Sequence, residues 1–344
     1  MRDNVVLFPT SSTLVNLVVN GFPGELGFQG GKIHRLFGDK SSGKSYLCSE
    51  TIFQSKKKFG KKLVFNYDDC ESGLTIDGDE LYGFPLITSE ATRSVTVQDL
   101  LKNVSRFIDN VKKDEFGIYI VDSLDGVIAI EAKERTDEFI EKDKEQEDGS
   151  FSLEKYKFLK QSFYPRVAEQ LEEKPNCILI IVSQLTTNIG ANKYEKQNKV
   201  TGGKASEFFA HSMTFLKTVE KEEIEDKDAG KTIPISSKVK IKTEKLKAPR
   251  PYRDCFYNVI FEHGIDEVGD NLKFLFNLHT PTGKTKGLKK LNMEFDGQEF
   301  KGLEELVHYI EDNNKEEELK KMVIDKWEKI ERKASETKKR KKRV

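Results

Sequence analysis

One short segment constrains this sequence of 344 residues more than any other: Gly38-Asp39-Lys40-Ser41-Ser42-Gly43-Lys44-Ser45. It matches the pattern GxxxxGK followed by Ser or Thr. It lies between KIHRLF, which predicts a strand, and SYLCSETIFQSKKKFG, which predicts a helix ending near Gly60. A loop of this composition can wrap its backbone N–H groups around a phosphate. The segment therefore predicts a nucleotide site that extends to Tyr46, in which Lys44 reaches the β- and γ-phosphates and Ser45 ligates Mg²⁺.

Three further apolar runs predict the strands of one buried sheet. KLVFNY, GIYIVDS and CILIIVSQ are rich in β-branched residues, too short for helices, and separated by segments long enough for crossover helices. Amphipathic spacing predicts helices over Leu100 to Lys112 and over Leu153 to Leu171. This alternation predicts an α/β fold with a mostly parallel central sheet.

The pattern changes after about residue 205. The runs MTFLKTV, SKVKIKTEKL, CFYNVIF and LKFLFNL predict an antiparallel extension of the sheet, and the acidic stretch Glu220 to Asp228 is predicted to extend a hairpin. FKGLEELVHYIEDN and EEELKKMVIDKWEKI predict two amphipathic helices. We therefore expect an N-terminal segment (1–30), a core (31–287), a small α-rich domain (288–332) and a basic disordered tail (333–344).

Composition narrows the class of protein only in part. Lys and Arg number 58, as do Asp and Glu, so any basic partner surface must be local. Four widely spaced cysteines without a CxxC pair argue against a disulfide framework and against a zinc site. The longest strongly apolar run, Cys177 to Val182, is too short to cross a membrane. These features predict a soluble protein of the cytoplasm.

Carboxylates at two strand ends complete the predicted site. Asp122 ends the apolar run of GIYIVDS and is the predicted second ligand of Mg²⁺. Asp68, Asp69 and Glu71 follow the neighbouring strand in VFNYDDCESGLT, and one of them would orient the attacking water; we choose Glu71. The alternative role for Asp122 is a cap at the end of the strand. The alternative for the three acids is that they only solvate a loop or hold the start of a helix.

These residues resemble those of the bacterial RecA recombinases, and VFNYDDCESGLT also resembles the UvsX-type recombinases of phages. The resemblance spans about residues 12 to 330. GKIHRLFGDKSSGKS is similar to the family's Walker A strand and loop, GIYIVDS to its Walker B strand, and ILIIVSQLTTNIG to the strand whose last Gln, here Gln184, senses the γ-phosphate. VTGGKASEFFAHSMTFL resembles the segment that closes the family's second DNA loop. LKAPRPYRDCFYNVIFEHGID resembles the segment whose lysines, here Lys245 with Lys242 nearby, contact the neighbouring subunit's ATP.

The resemblance implies a RecA-type core that binds ATP and Mg²⁺, with Glu71, Lys44 and Gln184 as catalytic residues. It implies a DNA loop from Asn188 to Thr201, where lysines could neutralise phosphates and a tyrosine could stack on a base, although an ordinary solvated loop is an alternative. The expected DNA-binding residues are Lys193, Tyr194, Lys196, Lys199, Gly202, Gly203 and Lys204. The implied partners are single-stranded and duplex DNA, further copies of the chain in a helical filament, and a loader or single-strand-binding protein. The predicted function is homologous pairing and strand exchange, in a bacterial cytoplasm or in the host cytoplasm if the protein is phage-encoded.

Three features depart from that family's pattern. Glu131 to Gly149 holds nine acids and four bases where the first DNA loop should fall. NVVLF stands in place of an N-terminal helix, either as a strand added to a neighbouring sheet or as a first strand within the same subunit. Lys338 to Arg343 is a basic run, which either scans DNA or only solubilises the terminus. The alternative functions are a ring-forming or small-oligomer ATPase, such as a helicase-like motor or a clock-type kinase, and a recombination mediator that anneals DNA without strand exchange.

Overall fold

A computed structural model describes residues 5–88, 91–142, 151–187, 198–201, 203–226, 230–278 and 293–336. The strands are β1 (Leu7–Phe8), β2 (Phe28–Gln29), β3 (Lys32–Gly38), β4 (Leu63–Asp69), β5 (Phe116–Asp122), β6 (Cys177–Thr187), β7 (Asn198–Val200), β8 (Ser212–Asp226), β9 (Lys231–Leu246), β10 (Asp254–Ile260), β11 (Gly264–Ile265), β12 (Met293–Phe295) and β13 (Gln298–Phe300). The helices are α1 (Thr13–Asn20), α2 (Lys44–Phe59), α3 (Gly78–Tyr82), α4 (Val97–Asn110), α5 (Ile130–Lys142), α6 (Phe151–Phe158), α7 (Tyr164–Glu173), α8 (Gly203–Phe209), α9 (Glu267–Leu275), α10 (Leu303–Asp312) and α11 (Glu316–Glu336). None of the helices in these ranges is both long enough and apolar enough to cross a bilayer.

One large sheet organises the chain, with the strand order β11-β10-β9-β8-β3-β6-β5-β4 and with β7 paired to β6. The strands from β8 to β4 in this order run parallel, whereas β9, β10 and β11 extend the sheet in antiparallel fashion. This architecture confirms the predicted α/β fold class with a parallel centre and an antiparallel extension. The predicted acidic hairpin is also confirmed over the described part of β8 and β9.

The central strands are apolar on both faces because helices cover both faces. Ile118 and Ile120 of β5 belong to the core cluster shared with α2, and Tyr119 and Val121 belong to the cluster shared with α4 and α7. Side chains alternate between the two faces of a strand, so a strand covered on both sides reads as a continuous apolar run. This is why the runs that form β5 and β6 were recognisable in the sequence.

Strand register brings the predicted site residues to one edge of the sheet. Gly38 of β3 pairs with Gln184 of β6, and Asp69 of β4 pairs with Asp122 of β5. Parallel strands end at a common edge, and β3 has parallel neighbours on both sides, so the crevice beside it is the expected ligand position. A Cβ atom on Gly38 would lie 2.0 Å from the carbonyl oxygen of Leu216 in β8. Only glycine fits there without a shift of the backbone.

The structure corrects one predicted strand and refines other elements. LKFLFNL was expected to extend the sheet, but most of it lies in α9, whose first turn is capped by Asp266 accepting from the Gly269 N–H at 2.9 Å. The helix predicted over residues 153–171 is interrupted by a π-helical turn, Leu159–Phe163. Within NVVLF, Leu7–Phe8 pairs with β2 of the same chain, which agrees with the alternative of a first strand within the subunit. The predicted domain boundaries remain proposals.

Acid should weaken the packing of β3 through His34. This side chain is fully buried, its Nδ1 lies 2.7 Å from Ser212 Oγ, and burial lowers its pKa to about 4. The unfolded chain binds a proton below a pKa of about 6.5, so stability should fall by up to about 3 kcal/mol as the pH drops from 6.5 to 4. Urea unfolding across this pH range checks the expectation. In a His34→Asn variant, the free energy of unfolding should lose the part of its pH dependence that comes from this side chain. An unchanged pH dependence in the variant would contradict the expectation.

Candidate nucleotide-binding site

The loop between β3 and α2 has the backbone conformation that anion sites require. Ser41 and Gly43 have φ angles of 54° and 80°, in the left-handed region, and α2 begins directly afterwards at Lys44. Residues of left-handed conformation in a loop can turn successive backbone N–H groups into one concavity, where an anion binds. The N-terminus of the helix that follows adds partial positive charge. The loop therefore fits a phosphate group.

A cavity of about 570 Å³, called here the nucleotide cavity, opens beside this loop. Its size suits a nucleotide. The predicted site residues that line it are Lys40, Ser41, Ser42, Gly43, Lys44, Ser45, Tyr46, Glu71, Asp122 and Gln184. Gly38 and Asp39, by contrast, contribute to the loop but not to the cavity lining. Lys221 and Thr218 of β8 also line the cavity, and Thr218 Oγ1 donates to the Ser41 carbonyl at 3.2 Å.

Lys44 is held by its own loop. Its Nζ donates to the carbonyl oxygens of Asp39 at 2.6 Å and Gly38 at 3.2 Å and to Ser42 Oγ at 3.3 Å. Burial lowers the pKa of the Lys44 ammonium, and the Asp122 carboxylate opposes that shift. A phosphate oxygen is a stronger, charge-assisted acceptor than these uncharged oxygens. Lys44 is thus positioned to bind a phosphate in the nucleotide cavity.

Ser45 and Asp122 present oxygen atoms side by side. Ser45 Oγ and Tyr67 Oη each donate to Asp122 Oδ2 at 2.6 Å. Burial raises the pKa of Asp122, while the bonds from Ser45 and Tyr67 oppose that rise. Mg²⁺ binds hard oxygen ligands and typically takes one or two from the protein and the remainder from phosphate and water. The pair therefore fits Mg²⁺ bound together with a nucleotide.

The three acids after β4 have different surroundings. Asp68 is fully buried and accepts from Ser94 and Tyr119, and Asp69 accepts from two backbone N–H groups of the following turn. Glu71 lines the nucleotide cavity, where it accepts from the Ser123 hydroxyl and from Gln184 Nε2 at 3.3 Å. Of the three carboxylates, Glu71 alone lines the nucleotide cavity.

Replacing Asp68 with alanine should destabilise the fold without weakening nucleotide binding. The change leaves the Tyr119 hydroxyl and the Ser94 N–H, which donate to Asp68 at 2.7 and 2.8 Å, without that acceptor. Unsatisfied buried donors cost about 1–3 kcal/mol each, so we expect a loss of about 3 kcal/mol. Urea unfolding measures the loss, and titration with a fluorescent ATP analogue below the unfolding midpoint measures binding. Unchanged stability would contradict this structural role.

The predicted DNA-binding residues are only partly described. Lys193, Tyr194, Lys196 and Gly202 lie outside the described residues, as does the basic run from Lys338 to Arg343. The remaining three lie in two elements: Lys199 is in β7, opposite Thr186 of β6, whereas Gly203 starts α8 and is followed by the exposed Lys204. The acidic stretch from Glu131 forms α5 as far as Lys142, and residues 143–149 lie outside the described ranges.

Lys245 lies apart from the nucleotide cavity of its own chain. Its Nζ donates to the carbonyl oxygens of Glu207 and Phe208, the latter at 3.1 Å, at the end of α8. Burial lowers its pKa. Its predicted contact with a neighbouring subunit's ATP therefore remains a proposal.

Sequence reasoning missed several residues at this edge of the sheet. Tyr67 contacts Asp122, Asp125 contacts Gln184 and Thr201, and Arg35 is buried beside Thr201. One signal was available, because a charged residue within the apolar run KIHRLF needs buried partners. The identity of those partners, however, depends on tertiary structure.

The fold and the edge geometry define an α/β protein with a candidate nucleotide site at the carboxyl ends of its parallel strands, an architecture that is consistent with a RecA-type core. No protein-family model matches the chain. The chain is 26% identical to Protein RecA of Ehrlichia chaffeensis over 245 residues. These residues cover 71% of this chain and 61% of that protein. The chain is 26% identical to Protein RecA of Malacoplasma penetrans over 332 residues, which cover 95% of this chain and 89% of that protein. It is 23% identical to Protein RecA of Gloeothece citriformis over 313 residues, which cover 91% of this chain and 78% of that protein. These similarities support a RecA-like family and do not single out one recombinase within it.

Proposed function

We propose that this chain hydrolyses ATP with Mg²⁺ and uses ATP to control its binding to single-stranded DNA, promoting homologous pairing and strand exchange with duplex DNA. The observation that carries the proposal is a convergence at one edge of the sheet. Lys44, the pair of Ser45 and Asp122, Glu71 and Gln184 come from different segments of the chain and face one cavity. The names of the similar proteins support the step from ATPase to recombinase.

Each of these residues has a distinct role in the proposal. The loop N–H groups and Lys44 hold the β- and γ-phosphates, and Ser45 with Asp122 holds Mg²⁺, which would neutralise phosphate charge when bound. Glu71 orients and polarises the attacking water. Gln184, which lies 3.3 Å from Glu71, contacts the γ-phosphate and so distinguishes triphosphate from diphosphate.

DNA binding is assigned to the segment that follows β6. Lysines at 193, 196, 199 and 204 and the tyrosine at 194 supply phosphate neutralisation and base stacking without sequence readout. The proposed assembly is a homo-oligomeric helical filament in the cytoplasm, in which Lys245 contacts a neighbour's nucleotide. A loader or single-strand-binding protein would be a further partner.

Electron microscopy of the purified chain with single-stranded DNA and a nonhydrolysable ATP analogue tests this proposal. We expect regular helical filaments that require both the analogue and the DNA. Closed rings would instead favour a motor. A companion ATPase assay should show stimulation by single-stranded DNA, and DNA annealing without such stimulation would favour a mediator.

A further inference from the structure

Tyr67 contacts the end of the neighbouring strand from within the core. It lies on β4 opposite Ile120 of β5, and its hydroxyl reaches Asp122, two residues farther along β5. Residues two apart on a strand share a face, so this is a diagonal contact on one face of the sheet, which a long aromatic side chain can span. The tyrosine is fully buried in the cluster shared with α2. The Asp122 carboxylate is therefore held by a side chain that the core itself fixes in place.

One oxygen of this carboxylate, Asp122 Oδ2, receives two hydrogen bonds. Tyr67 Oη and Ser45 Oγ each donate to it at 2.6 Å. A carboxylate oxygen has two lone pairs, so these donors occupy Oδ2 and leave Oδ1 as the oxygen that a metal ion can take. Ser45 is itself the other proposed ligand of Mg²⁺, whereas Tyr67 does not line the nucleotide cavity. Any effect of Tyr67 on a metal ion must therefore pass through Asp122.

Mg²⁺ and Ca²⁺ make different demands on a carboxylate ligand. Mg²⁺ requires nearly ideal octahedral geometry, which favours a rigid carboxylate that binds through one oxygen. Ca²⁺ accepts varied geometry and carboxylates that bind through both oxygens. A donor that occupies Oδ2 and fixes the orientation of Asp122 meets the demand of Mg²⁺, and it opposes the two-oxygen binding that Ca²⁺ accepts.

We propose that Tyr67 is a positioning residue that fixes Asp122 for Mg²⁺ and makes the nucleotide cavity select Mg²⁺ over Ca²⁺. This inference rests on the proposed function, because it assumes that the cavity takes a divalent cation together with nucleotide. Tyr67→Phe keeps the aromatic ring in the core and removes only the hydroxyl. In that variant Asp122 can rotate more freely, and a lone pair of Oδ2 becomes available to a metal ion.

A second tyrosine provides a matched control. Tyr119 of β5 is also fully buried and lies opposite Asn66 of β4, and its hydroxyl donates at 2.7 Å to Asp68, two residues farther along β4. This contact repeats the geometry of Tyr67 on the opposite face of the sheet, in the cluster shared with α4 and α7. Asp68 does not line the nucleotide cavity. Tyr67→Phe and Tyr119→Phe therefore remove equivalent buried hydrogen bonds, of which only the first ends on a proposed metal ligand.

Binding of a fluorescent, nonhydrolysable ATP analogue at increasing free Mg²⁺ or Ca²⁺ tests the inference in the full chain without DNA. For Tyr67→Phe we expect the half-saturating Mg²⁺ concentration to rise by about 10- to 100-fold, the range typical for loss of a group that orients a metal ligand. The half-saturating Ca²⁺ concentration should stay within about threefold of the wild type, because Ca²⁺ tolerates a mobile carboxylate and can use the released Oδ2.

The control variant separates this effect from a general loss of stability. Tyr119→Phe should keep the half-saturating concentrations of both cations within about twofold of the wild type, because its hydrogen bond does not end on a proposed metal ligand. The urea midpoints of the two variants should fall by similar amounts. The affinity for the analogue in EDTA should be the same in all three proteins.

The inference is wrong if Tyr67→Phe requires no more Mg²⁺ than the wild type, if Tyr119→Phe shows an equal shift, or if Tyr67→Phe loses affinity for Mg²⁺ and Ca²⁺ in the same proportion. In each of these cases the wild type still binds nucleotide with Mg²⁺, and the proposed function stands. A wild type whose nucleotide binding does not respond to Mg²⁺ would remove the metal site and this inference with it. A wild type with the expected cation selectivity that forms no filaments on single-stranded DNA would lose only the recombinase function. The two proposals can therefore fail separately.

Discussion

Replacing Lys44 with alanine should abolish nucleotide binding, lowering the affinity for Mg·ATP by about a hundredfold or more. The ammonium is buried beside the loop and donates to three of its oxygen atoms, so it is already directed at the phosphate position. Its loss removes the charge that would hold the β- and γ-phosphates. Titration with a fluorescent ATP analogue measures the affinity, and circular dichroism checks that the variant is folded.

Lys40→Ala is the matched control for this experiment. Lys40 belongs to the same loop and lines the same cavity, but it is exposed to solvent. Screening by water and salt weakens exposed charges, so we expect less than about a tenfold loss. If the folded Lys44 variant binds with the affinity of the wild type, the phosphates must lie elsewhere and the assignment of the nucleotide cavity is wrong.

Replacing Glu71 with glutamine should leave ATP binding intact while lowering kcat by about 10²- to 10⁴-fold. The substitution keeps the size of the side chain and an oxygen that can accept from Ser123. It removes the negative charge that is proposed to polarise the attacking water. Single-turnover and steady-state ATPase assays separate this loss from any change in affinity.

Asp69→Asn serves as the comparison for Glu71→Gln. The Asp69 carboxylate accepts from the N–H groups of Gly73 and Leu74 at 3.1 and 3.0 Å, and an asparagine oxygen can keep one of these bonds. Turnover should therefore remain within about threefold of the wild type, because the cost falls on the turn and not on the reaction. Normal turnover in the Glu71 variant would move the catalytic role to Asp68 or Asp69.

Local features of the sequence were sufficient to predict the strands at the centre of the fold. The runs that form β5 and β6 could be predicted because double-sided burial leaves an unbroken apolar signature. The loop of Gly38 to Ser45 could be predicted because its residues are contiguous. The error at LKFLFNL has a physical cause: Leu272 and the residues after it alternate as in a strand, but Asp266 caps a helix that buries Val268 and Leu272 together.

Contacts between distant segments could not be predicted in the same way. Arg35 and Thr201 are 166 residues apart in sequence, and Thr201 and Asp125 are 76 apart. Asp125 differs from an ordinary loop acid only in its neighbours, which the strand order determines. The sequence therefore indicated which residues could contact a phosphate, while the hydrogen bonds behind them required the fold.

The close approach of β3 and β8 changes how a mutational scan of the phosphate loop has to be interpreted. An added methyl group at Gly38 would collide with the Leu216 carbonyl oxygen before any ligand was present. A Gly38→Ala protein that cannot bind ATP would thus report a distorted sheet. The first glycine of the motif is therefore required by the packing of the sheet, independently of any ligand.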